Sequence, residues 1–222
     1  MLPVVRGAKV ATNWRGYLLQ MTDRVVLFVD AQNVYRGARD AFQHSAGPGH
    51  VHGQVDPIAL GKLICSRAPE GSTRTLSEVR IYTGRPESSK QPRPYAAHMR
   101  QCAAWEKAGA VVLARTLQYP PSWPKIPARE KGIDVQLAVD FVAGAVDGRY
   151  DVGIIFSTDT DLRPALEFVA TRFQNAPRAE SAAWSAPAAN RALVVTTPRK
   201  TWCHYLSSRD YANVHDSTDY NR

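Results

Sequence analysis

Three short segments of the chain carry acidic side chains at places where a reaction could use them. Residues 28–33 read F-V-D-A-Q-N. Asp30 closes a run of five apolar residues, Val25 to Val29, so it stands where a buried strand meets solvent. Asn33 follows about one helical turn later and can face the same opening. Residues 131–134 read K-G-I-D, and helical spacing puts Asp134 at the head of the stripe Leu137, Ala138, Phe141. Residues 157–162 read S-T-D-T-D-L, with Asp159 and Asp161 set among the hydroxyls of Ser157, Thr158 and Thr160. Each acid also has a plainer reading. Asp30 can cap a helix, Asp134 can answer a helix dipole, and one of Asp159 and Asp161 can cap a turn. Taken together, they put four carboxylates at two strand ends and one helix start. Like charges so placed call for a cation, and an oxygen-rich cluster suits Mg²⁺ or Mn²⁺. Such an ion can activate water for attack on a phosphodiester. Asp140, about 240° around the helix from Asp134, falls on a polar face with Gln136 and Asp147 and is not counted with the four.

These acids need a frame. Arg24–Asp30, Glu78–Thr83, Ala110–Ala114, Val152–Phe156 and Leu193–Thr196 read as strands. Helical segments separate them at residues 32–43, 57–65, 95–108, 133–146 and 161–173. Asp56-Pro57 is an N-cap followed by proline at the first helical position, and Gly109 is a C-cap. Strands alternating with helices imply a mostly parallel sheet covered on both faces, an α/β architecture. Ligands of such sheets gather beyond the carboxyl ends of the strands, where the acids lie.

The three segments F-V-D-A-Q-N, K-G-I-D and S-T-D-T-D-L resemble, in order and spacing, the motif set of the NYN domain family of PIN-like nucleases. The resemblance spans roughly residues 23–173 and extends to the strand near 192–197. It implies a PIN-like, Rossmann-like three-layer α/β/α fold with a five-stranded sheet, an Mg²⁺ or Mn²⁺ site and ribonuclease activity. Carried over by motif, Asp30, Asp134, Asp159 and Asp161 are the expected acidic site. Asn33 is its polar partner, and Ser157 and Thr158 are supporting groups. Family members often have an acid where Asp140 stands, against the helical-face reading. The 44–56 loop and the 174–190 segment depart from the pattern. A non-catalytic RNA-binding or regulatory module on the same fold is the alternative, and a phosphohydrolase of small nucleotides a third.

The chain has 222 residues and a formal net charge of +8. That balance favours a polyanionic partner, nucleic acid or an acidic membrane surface, or else serves solubility, and the family resemblance implies RNA, single-stranded or structured. Tyr119, Trp123, Lys125, Arg129 and Lys131 lie on a Pro-rich lip, residues 115–131. They either stack bases and hold phosphates, or the aromatics pack onto the domain. Arg85, Lys90 and Arg93 make a second basic loop, read as solvated surface. Cys65, Cys102 and Cys203 show no CxxC pairing, which argues against a zinc site or disulfide framework and for a reducing cytoplasm. No apolar run reaches the ~20 residues of a membrane helix, and no membrane role is expected. No G-x-S-x-G elbow or Walker A loop is present, and His50-x-His52 has no third ligand nearby. Residues 1–22 are expected to be a flexible extension, 23–200 the nuclease domain with a mobile insertion at 174–190, and 201–222 a tail. A homo-oligomer or a regulatory partner is compatible with this reading.

Overall fold

The apolar run Val25–Val29 becomes the centre of a six-stranded sheet in which every neighbouring pair is parallel. The computed structural model describes residues 10–12, 18–20, 22–42, 49–69, 71–186, 191–196 and 200–222. A short antiparallel pair, β1 (Val10–Thr12) and β2 (Leu18–Gln20), precedes the main body. The remainder of the expected extension, apart from Thr22, lies outside the described residues.

The main sheet contains β3 (Asp23–Asp30), β4 (Arg74–Arg85), β5 (Val111–Thr116), β6 (Val152–Phe156), β7 (Arg178–Trp184) and β8 (Trp202–Leu206). Their order is β5-β4-β3-β6-β7-β8. The helices are α1 (Ala31–Ala41), α2 (Pro57–Cys65), α3 (Pro92–Lys107), α4 (Ile133–Val146), α5 (Arg163–Arg172) and α6 (Ser208–Val214). Alternate side chains of β3 point to opposite faces, which divides the core in two. Val25, Leu27 and Val29 pack with residues of α1, α2, α3 and α6. Val26 and Phe28 pack with residues of α4 and α5. The result is the expected three-layer α/β/α arrangement. The chain builds outward from β3 through β4 to β5, then returns to β6 and builds the other way. The topological switch point therefore lies between β3 and β6, where a parallel sheet opens a crevice at its carboxyl edge.

The sheet has six strands where five were expected, and its far half differs from the sequence reading. Residues 178–184, inside the segment expected as a mobile insertion, form β7. It lies between β6 and β8, with every residue from Ala179 to Trp184 buried. Its sequence, R-A-E-S-A-A-W, is poor in the branched and aromatic residues that mark strands, so tertiary burial overrides a weak local preference. Trp184 anchors its end by donating its indole N–H to the carbonyl of Val34 at 2.9 Å. Residues 187–190 of that segment lie outside the described residues. The expected strand at 193–196 is not paired as a strand. Leu193 and Val195 are instead buried on the α4/α5 side of the core. Val195 exchanges hydrogen bonds with Thr201. The last strand is β8, within the expected tail, and α6 follows it with a Ser207/Asp210 capping box. No helix among the described residues is long and apolar enough to cross a membrane.

Candidate active site

Asp30 is the last residue of β3, and Ser157 follows β6 directly, so the two strand ends meet at the switch point. The Ser157 hydroxyl donates to Asp30 Oδ2 at 2.9 Å, and the Asp159 backbone N–H donates to Ser157 Oγ at 3.1 Å. Asp30 Oδ1 accepts from the Asn33 N–H at 3.1 Å, so this acid does cap α1. Asn33 Oδ1 accepts from both the N–H and the hydroxyl of Thr158, at 3.0 and 3.2 Å. One continuous set of bonds thus ties the start of α1 to the loop after β6. The capping and site readings of Asp30 hold together: one carboxyl oxygen serves the helix and the other the loop.

Asp134 arrives from the opposite layer. Gly132, at φ +72°, turns the lip into α4 through a backbone region that costs a side-chain-bearing residue, and Asp134 lies in the helix's first turn. Its carboxylate makes no hydrogen bond to a described residue, which leaves both oxygens available to the cleft. Asp30, Asp134, Asp159, Asn33 and Thr158 all line a cleft of about 760 Å³. Asp161 does not. Asp159 accepts its N–H at 3.0 Å to cap a short 3-10 turn, Thr160–Leu162, and Asp161 stands exposed.

The electrostatics report crowding of negative charge. Burial, with added repulsion from Asp159 and Asp134, holds the Asp30 carboxyl above the usual range, against the lowering by its bonds to Asn33 and Ser157. Burial likewise raises Glu130, helped by Asp30 and Asp134 and opposed by the Gly84 N–H and Arg36. Glu130 lines the same cleft. Its position next to K-G-I-D could have revealed it, but a lip read as cationic hid it. Arg36, Asp40 and Arg191 also line the cleft and were missed. Asn33, Arg36, Gly37 and Asp40 follow i, i+3, i+4, i+7 on α1, a spacing that marks one face. Arg191 carries no such signal.

Among the described residues, no three His, Cys, Asp or Glu side chains stand close enough to form a ready-made metal cage. The donor set still fits a hard cation. It is all oxygen, it is short of positive charge at Asp30, and Mg²⁺ commonly binds through one or two carboxylates while keeping waters. Asp140 belongs elsewhere. It accepts from the Tyr82 hydroxyl at 2.9 Å, from Arg80 at 3.1 Å and from Gln136 at 2.9 Å, tying α4 to β4.

The lip residues Tyr119, Trp123, Lys125, Arg129 and Lys131 do not line the cleft. The Tyr119 hydroxyl accepts from the Glu87 N–H and donates to Gln91. Its ring packs edge-on with Trp123 and carries Lys90 at 4.4 Å. That is the packing alternative for Tyr119. Lys125, Arg129 and Lys131 are exposed.

Gly84 tests how Glu130 is held. Its N–H donates to Glu130 Oε1 at 2.6 Å, and a Cβ there would stand 2.4 Å from Leu117 Cδ2 and 2.7 Å from Glu130 Cγ. Gly84→Ala should push the two flexible side chains aside at a cost of about 1 kcal/mol. Because the Gly84 bond lowers the Glu130 pKa, its loss should raise that pKa further. A carboxyl-carbon NMR titration of Glu130 reads this directly, and an unchanged curve would contradict the proposed anchoring.

The parallel three-layer α/β/α fold with an acidic cleft at its switch point is consistent with the PIN-like class. The family model for the NYN domain matches residues 24–174, and the chain belongs to that family. The chain is also similar to the crystal structure of a protein of unknown function from Vibrio parahaemolyticus. The two are 16% identical, with a TM-score of 0.47, over 76% of this chain and 84% of that one. No curated protein matches the chain.

Proposed function

We propose that this protein is a divalent-metal-dependent ribonuclease. The observation that carries the reading is the meeting of Asp30, Asp134 and Asp159, from three separate segments, in one cleft at the switch point. Carboxylates of this cleft, with waters completing the coordination, would hold Mg²⁺ or Mn²⁺. Bound there, the cation supplies an activated water and offsets charge developing on the phosphodiester.

The protein's own groups do the rest. Arg36 and Arg191 lie on the cleft wall, where they can take the phosphates on either side of the reacting one. Ser157 fixes the rotation of the Asp30 carboxylate, and Asn33 fixes the loop that presents Asp159. The exposed lip cations Lys125, Arg129 and Lys131 would add contacts to the RNA backbone that weaken with salt. Buried, unpaired Cys65, Cys102 and Cys203 suit a reducing cytoplasm as the proposed compartment.

The test is cleavage of end-labelled single-stranded RNA with Mn²⁺ or Mg²⁺, with EDTA, and with Asp30→Asn. Cleavage should require the metal and be lost with either EDTA or the substitution. Activity surviving both would refute the mechanism. RNA binding with no turnover under any metal would assign the chain to the non-catalytic, regulatory reading.

A further inference from the structure

Beside the acidic cleft lies a second cavity of about 350 Å³, within the size range of ligand pockets. The two share Gln32 and Glu130 in their walls. Gly84, whose N–H holds Glu130, also lines the second cavity, so the Gly84–Glu130 bond stands at the threshold. The floor is apolar, from Val29 and Ile81 at the carboxyl ends of β3 and β4. One wall is α3, which contributes Ala97, His98, Gln101 and Trp105.

The chemistry of these walls is selective. Among the described residues no lysine or arginine lines the cavity, and Glu130 stands in the wall it shares with the acidic cleft, so a phosphate is disfavoured. Trp105 is 8% exposed, and its indole N–H is buried without an acceptor among the described residues. Gln101 gives its amide N–H to Gln54 Oε1 at 3.1 Å, which leaves its own carbonyl oxygen free to accept. Burial, reinforced by the positive charge of Arg85, pushes His98 down to about 4, so its ring is neutral at physiological pH. The cavity therefore presents an apolar floor, aromatic side chains and a free acceptor at Gln101, with no lysine or arginine among its described lining residues.

We propose that this cavity receives a nucleobase of the RNA strand whose phosphate lies in the acidic cleft. A flat, uncharged ring with hydrogen-bonding edges matches these walls, and single-stranded RNA offers such rings splayed from the backbone. The inference rests on the ribonuclease reading for the identity of the polymer. The cavity would select which nucleotide stands beside the scissile bond.

The experiment titrates each of the four ribonucleosides, with D-ribose as control, into metal-free protein and follows the Trp105 indole N–H resonance by NMR. At least one nucleoside should shift that resonance saturably, and ribose should not. Gln101→Leu removes the acceptor and Ala97→Phe fills the space. Each should weaken binding at least about ten-fold. Asp134→Asn should leave nucleoside binding unchanged, although the ribonuclease reading requires it to lose cleavage, so the two claims can fail separately. Absence of a Trp105 shift with every nucleoside at millimolar concentration would overturn the proposal. So would binding that both cavity variants leave intact. Should Ala97→Phe fail to fold, the wild-type titration and Gln101→Leu still decide the matter.

Discussion

Asp134→Asn is expected to reduce RNA cleavage on the order of 10³-fold while making the metal-free protein more stable. The loss follows from removing an anionic ligand for a cation that contributes several kcal/mol to the transition state, at about 1.4 kcal/mol per tenfold. The gain follows from the crowding of acids. Asp134 raises the pKa of both Asp30 and Glu130, so at neutral pH its charge opposes theirs. Its carboxylate has no hydrogen bond to a described residue, so the amide forfeits only the dipole interaction of an acid in the first turn of α4, which offsets part of the relief. Relief of up to about 1 kcal/mol is expected, or roughly 2–4 °C in melting temperature for a chain of this size.

The pH dependence supplies a sign. Asp30 has a folded pKa above the ordinary aspartate value of 3.8, so the folded state takes up its proton before the unfolded state does. The metal-free protein should therefore gain stability from this group as pH falls through the raised value, down to the ordinary one. In Asp134→Asn that window should narrow but persist, because burial is the larger cause of the shift. Melting curves across pH, with and without Mn²⁺, would show both effects. A variant that melts lower than wild type without metal, or that keeps its cleavage, would contradict the account.

The acids Asp30, Asp134 and Asp159 were legible because local rules placed them. An acid closing an apolar strand and an acid heading an apolar helical stripe must both come to the sheet's edge. Asp161 shows the limit of that reasoning. A two-residue spacing within one loop does not say which carboxylate faces the cleft, and the cap made by Asp159 turned the chain so that Asp161 is exposed. Glu130 needed knowledge of what the lip folds against, since its partner Gly84 is 46 residues away. The first four strands of the main sheet announced themselves through branched apolar residues. β7 did not, because its burial is supplied by neighbours on both sides and its side chains are small. Leu193 and Val195 looked like a strand because they are core residues, although their backbone joins no ladder. Hydrophobicity reports burial, and in this half of the sheet burial and strand pairing part company.

The charge inside β7 leads to the second large effect. Glu180 accepts two hydrogen bonds from Arg74, at 2.9 and 2.7 Å, and pairs with His204 Nε2 at 2.8 Å. The Arg74 side chain is 0% exposed and that of Glu180 6%. Glu180→Ala would leave a guanidinium buried with no counterion, at an expected cost of 3–5 kcal/mol, about 10 °C or more in melting temperature. Burial by itself raises the Glu180 pKa, but the bonds from His204 and Arg74 outweigh it and hold the carboxyl below its ordinary value. Its contribution to stability is therefore present above that ordinary value and lost as pH falls through the depressed one, the opposite sign to Asp30. If the cost comes from an orphaned charge, then removing that charge as well should recover much of it. Glu180→Leu combined with Arg74→Met should melt well above Glu180→Ala alone, since packed apolar groups often replace a buried ion pair without loss. Equal melting of the two variants would mean that the penalty lies in packing around β7. A cost for Glu180→Ala below about 1 kcal/mol would mean that water reaches Arg74.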